Sequence, residues 1–265
     1  MPIAILEIPK TIAPSGINTS QAKELCEKAR DSLHDMLNVP DPRDKETRIV
    51  RKGLDETILK MAFTIGPNEY PDFKPKSFFP TKDQVKLAGR SILKIIKESQ
   101  LGISQVVIEA WRDTTFLLRE EEIPEPVSPV SEEALREIGS NLNNPRIRLI
   151  LSPQKREGVS SLKELYLPPE NGGYQEVALK LSNRMTEILG LKEVTAEVEF
   201  ADFADTDVSV EFDCETKPNN SISQEIRKYM AESVLYILDS CQSTKEGSGE
   251  VWVRQGQPER VVFGR

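Results

Sequence analysis

Apolar residues recur along this chain with two periods, and the alternation of those periods lays out its elements. Residues 2–8 (PIAILEI) are almost continuously apolar and predict a strand. Leu25, Ala29, Leu33 and Met36 follow at spacings of three and four, which predicts a helix over 20–37. Thr19 or Ser20 suits its N-cap. Strands are expected at 46–51 and 57–65, around the turn Lys52-Gly53. Residues 66–80 hold four prolines and three phenylalanines and read as an ordered loop. A helix over 82–99 places Val85, Ala88, Ile92, Ile95 and Ile96 on one face, and a strand follows at 105–111.

Residues 120–130 (EEEIPEPVSPV) are acidic and proline-rich, as in a linker, with a short helix expected at 132–138. The same order then begins again. A strand at 146–151 leads to an insertion rich in Lys, Ser, Gly and Pro over 152–173. A helix over 174–189 carries Val177, Leu181, Met185 and Ile188. Strands at 194–200 and 207–213, a helix at 223–238 and strands at 250–254 and 260–263 complete the series.

Pro2 precedes the first strand and Pro145 its counterpart, an offset of 143; Val106–Glu109 and Val251–Arg254 match at an offset of 145. These offsets predict a duplicated α+β (α/β) chain. Each copy would be a β-α-β-β-α-β domain with a mixed four-stranded sheet and two helices on one face. The domains would span 1–119 and 144–265, with 120–143 as linker and connecting helix. A pair of unrelated ferredoxin-like domains that bind a small regulatory ligand is the weaker architectural alternative.

Composition narrows the function classes. The net charge is −8, which argues against nucleic-acid binding, a process driven by a basic field that releases counterions. The same charge disfavours an anionic membrane surface. No run approaches the length of a membrane span, and the first residues lack the basic region of a signal peptide. Cys26, Cys214 and Cys241 are odd in number and far apart, which is not the spacing of a disulfide framework or a zinc site. A cytoplasmic, reduced setting is expected, with no metal.

Pro2 carries the candidate chemistry. Removal of Met1 would leave a rigid secondary amine at the start of an apolar strand. An α-amino group titrates near about 7.7 to 8.0, and burial lowers that value. A neutral amine at physiological pH serves as a general base. Pro145 has no such use, since its nitrogen is an amide.

The start Met1-Pro2-Ile3-Ala4 on a strand, Thr64-Ile65-Gly66 at the end of another, and Ala88-Gly89-Arg90 on the second helix resemble the tautomerase superfamily. The nearest likenesses are to macrophage migration inhibitory factor and 5-carboxymethyl-2-hydroxymuconate isomerase. The resemblance covers residues 2–118 at motif level and 145–265 only as architecture. It implies a cofactor-independent tautomerase or isomerase in which Pro2 moves a proton on a 2-oxo acid or its enol. Arg48 and Arg51 would hold the carboxylate of that small-molecule substrate, a task suited to the planar guanidinium, and Ile65 would line the pocket. It also implies a homo-oligomer, a trimer, with sites between subunits. The alternative is a non-catalytic binding or assembly protein of the same fold. His34, Cys26, Trp111 and Trp252 read as structural residues, and Glu120–Glu122 as a charged lead into the linker.

Overall fold

The structure is a computed structural model that describes residues 2–12, 17–38, 46–64, 66–68, 76–78, 80–99, 101–112, 114–118, 124–151, 173–217, 220–241 and 249–264. The chain divides into two compact units. Unit 1 comprises Met1–Arg112, Ala201–Asp205 and Pro258–Arg265; unit 2 comprises Asp113–Phe200 and Thr206–Gln257.

In unit 1 the strands are β1 (Pro2–Pro9), β2 (Glu46–Lys52), β3 (Ile58–Thr64), β6 (Gln105–Trp111) and β12 (Glu259–Gly264). A small two-stranded ladder joins β4 (Gly66–Asn68) to β5 (Lys76–Phe78) within the segment expected to be a loop. β1 runs parallel to β2 and antiparallel to β3, β3 runs parallel to β6, and β12 lies antiparallel on β6. Helices α1 (Thr19–Leu37) and α2 (Lys82–Glu98) pack on one face.

Helix α1 starts where Asn18 accepts hydrogen bonds from the Ser20 and Gln21 amides, and it stops at Asn38 in the left-handed region (φ 54°). Helix α2 opens on a reciprocal capping box between Thr81 and Gln84. Leu25, Ala29 and Leu33 of α1 meet Val85, Ala88 and Ile92 of α2 over Ala4, Leu6 and Ile8 of β1. Burying one such leucine or isoleucine stabilises the unit by about 1.5–3 kcal/mol.

Unit 2 repeats the pairing pattern with different residues. β8 (Leu142–Leu151) runs parallel to the first part of β9 (Thr195–Ala204) and antiparallel to β10 (Val208–Thr216). β10 is parallel to β11 (Gly249–Gln255), and β7 (Thr114–Leu118) lies antiparallel on β11. The helices are α3 (Glu132–Ser140), α4 (Gly173–Leu189) and α5 (Gln224–Cys241). Ser131 caps α3 through the Ala134 amide. Leu181 and Met185 of α4 and Met230 and Val234 of α5 bury against Ile147, Leu149, Val210 and Phe212.

The expectation of two domains that each hold a four-stranded sheet with two helices is corrected. The strands follow in a ten-stranded mixed sheet, β12-β6-β3-β1-β2-β9-β8-β10-β11-β7, with five helices among the described residues. Two features cause the difference. β9 runs on past Phe200, so that its residues 195–200 pair with β8 and its residues 201–204 with β2. The short strands β7 and β12 add to β11 and β6. The insertion at 152–172 lies outside the described residues.

Candidate functional site

Alternation along a strand sends successive side chains to opposite faces. In β1, β3 and β6 of unit 1, residues such as Leu6, Met61 and Ile108 join the core under the helices. Their neighbours Glu7, Lys60 and Glu109 stay outside that cluster and meet one another. Lys60 Nζ lies 3.1 Å from Glu7 Oε1 and 3.8 Å from Glu109 Oε1. Arg260 of β12 reaches Glu109 Oε1 at 2.9 Å. Glu109 is 4% exposed, so this pairing compensates a carboxylate removed from water.

Pro2 opens β1 and stands opposite Phe63 in the ladder with β3. Arg48 lies opposite Ile5, three positions further along β1, or about 10 Å at the rise of a strand. It is 1% exposed, and its guanidinium donates to both oxygens of Glu46, with NH2 at 3.0 Å from Oε2. Arg51 stands a further three positions along, opposite Ile8. Its Nε lies 2.7 Å from Asp202 Oδ2, and its NH1 donates to the carbonyl of Ile12. An odd separation on one strand turns Arg48 and Arg51 to different faces. The structure therefore does not bring the two arginines together, and it joins each to a group within unit 1. Ile65 lies outside the described residues.

Unit 2 holds the denser cluster. Glu211 of β10 accepts from Arg254 NH2 at 3.0 Å and lies 2.5 Å from Arg148 NH2. Asp213 accepts from Arg148 NH2 at 2.7 Å and lies 3.8 Å from Arg254 NH1 and 3.7 Å from Arg146 Nε. The Glu211 carboxylate pushes the Arg148 guanidinium further up from its ordinary value, against the opposing effect of burial. Arg254 also sits 5.1 Å from the centre of the Trp252 ring, whose Nε1 donates to Glu250.

This cluster was missed from sequence. The signal was the alternation Val208-Ser-Val-Glu-Phe-Asp-Cys214, in which every second residue is polar.

The register makes the two clusters comparable. Lys60 lies opposite Val107, and Ala62 opposite Glu109. Glu211 lies opposite Trp252, and Asp213 opposite Arg254. Lys60–Glu109 and Glu211–Arg254 thus occupy the same diagonal, with the charges exchanged.

Cys26 and Cys214 are not activated nucleophiles. Burial pushes Cys26 and Cys214 up to about 12, so both stay protonated at neutral pH. Asp205 accepts the Thr47 amide at 2.8 Å beside Arg30, and burial still raises it from its ordinary value. Among the described residues, no group of three or more His, Cys, Asp or Glu could hold a metal ion. Among them also, no helix is long and apolar enough to cross a membrane.

The chain matches no protein-family model, no curated protein and no solved structure. The arrangement itself is chemically plain: ion pairs that neutralise one another inside each unit.

Proposed function

We propose that this chain is a binding and assembly protein that associates with further copies of itself through the edges of its sheet. One observation carries the reading. The strand order ends on β12 in unit 1 and on β7 in unit 2, and each pairs with a described strand on one side only. An edge strand offers a row of backbone donors and acceptors to another chain, and TTFLL and ERVVFG are short segments of strand-forming residues. The commitment of Arg48 and Arg51 to Glu46 and Asp202 supports a structural use of those charges. Three buried free thiols support a reduced, cytoplasmic setting.

The test is the molar mass in solution by light scattering. The expected state is the trimer implied by the family resemblance, at about three times the chain mass of 29.8 kDa. A chain that stays monomeric from low to high micromolar concentration removes the reading.

A second reading keeps Pro2 as a general base on a 2-oxo acid. It is favoured by the place of Pro2 as the first residue of β1, held opposite the buried Phe63. It requires a chain that begins at Pro2, so intact mass is measured first. Turnover of the enol of a 2-oxo acid, lost in Pro2→Ala, supports it; retention of Met1 excludes it.

A further inference from the structure

Residues 124–129 (PEPVSP) of unit 2 belong to no helix or strand, yet the sequence leaves their backbone little freedom. Pro124, Pro126 and Pro129 fix φ at about −65°. Glu125 and Ser128 each precede a proline, which pushes them to extended or polyproline II backbone. Only Val127 carries neither restriction. A chain so composed favours polyproline II, a left-handed helix of about three residues per turn.

That period sorts the segment into three edges. Pro124 and Val127 share one, Pro126 and Pro129 the second, and Glu125 and Ser128 the third. The polar edge makes contacts within unit 2. Glu125 Oε1 lies 4.0 Å from Arg184 NH2 of α4, and Ser128 Oγ donates to the Val130 carbonyl at 2.6 Å. Val130 packs on the unit 2 core and Ser131 caps α3, so the segment is anchored where it ends. The apolar edges are left to water. Pro124, Val127 and Pro129 are exposed, and Val127 at 89% exceeds every other large apolar residue among those described. The usual order of a surface segment is thereby inverted.

We propose that this segment is a docking ligand for a partner protein with an aromatic-lined groove of the kind that reads PxxP sequences, with Pro126-Val127-Ser128-Pro129 as the motif. Such grooves take polyproline II segments because a chain already ordered loses little entropy on binding. The sequence also sets the rim of the groove. Glu125 and, just before it in the chain, Glu120–Glu122 place four carboxylates beside the motif. The complementary groove therefore carries Lys and Arg at its edge. Docking here is independent of association through the sheet edges, since residues 124–129 lie in no strand.

Purified SH3 and WW domains, arrayed and probed with the full chain, test it, with each hit measured by calorimetry. A domain with a basic rim is expected to bind with a Kd on the order of 0.1 mM or tighter. The double variant Pro126→Ala with Pro129→Ala releases the backbone, whereas Val127→Ser removes the exposed apolar side chain and keeps every proline. Each is expected to weaken binding by about fivefold or more. The urea midpoint is expected to hold, because these side chains lie outside the unit 2 core. If the double variant lowers that midpoint, Val127→Ser alone decides. The proposal is overturned if no basic-rimmed domain reaches that affinity, or if a deciding variant weakens binding by less than about fivefold.

Discussion

Glu211 and Arg254 meet at 3.0 Å across the same strand diagonal that Lys60 and Glu109 span at 3.8 Å, with acid and base exchanged. The unit 2 pair is the more buried, at 2% and 6% side-chain exposure. Arg254→Ala removes one of the two arginines that lie 2.5–3.0 Å from Glu211 and is expected to cost about 3–5 kcal/mol, the range for breaking a buried pair. Replacing both partners, Glu211→Leu with Arg254→Met, is expected to cost far less. The shift in the urea unfolding midpoint measures each.

Gly139 of α3 packs tightly against the end of α4. A Cβ there would stand 1.8 Å from the carbonyl oxygen of Leu189, a backbone atom that cannot turn aside. Gly139→Ala is expected to destabilise unit 2 by about 1–3 kcal/mol, the range for overpacking a close contact. Gly53→Ala, with open space around it, is the neutral control.

The buried thiols set a pH dependence. Cys26 and Cys214 stand near 12 in the fold, against about 8.5 for a free thiol. A group with a raised folded value contributes stability that is complete below its unfolded pKa and lost as pH climbs through the folded one. Stability is therefore expected to decline from about pH 8.5 upward, and Cys26→Ala with Cys214→Ala flattens that decline. At pH 8 the folded chain is expected to resist thiol reagents at both positions, with full reaction after denaturation.

Asp205 shifts in the same direction at lower pH. Its carboxyl is raised by burial although Thr47 and Arg30 partly offset the effect. Its contribution is complete below the unfolded carboxylate value and fades as pH rises through the folded value. Asp205→Asn is thus expected to gain stability relative to the parent chain as the pH rises above about 4. A difference that stays flat as the pH rises would contradict the assignment.

Much of the element order was legible because core positions follow simple periods. Leu25, Ala29 and Leu33, or Val177, Leu181 and Met185, declare helices by spacing alone, and all six are buried. Strand β7 was not legible. Thr114–Leu118 sits two residues after β6, and nothing in TTFLL names β11 as its partner. Nor was the sheet as a whole, since the length of β9 beyond Phe200 depends on pairing between Arg48, Ile49 and Val50 and residues 201–204. Arg48 and Arg51 looked alike in sequence as basic residues near an apolar strand. Their fates differ because one finds Glu46 two positions before it and the other finds Asp202, about 150 positions away.

The pairing of β12 with β6 also sets an order in time. On a ribosome adding roughly 5–20 residues per second, Arg260 emerges on the order of 10–30 seconds after Glu109. For that interval the edge of β6 is bare and Glu109 lacks its second cation. Unit 1, which holds β1, is thus completed only after the unit 2 segment ending at Gln257, and a nascent chain has reason to keep that edge shielded until β12 arrives.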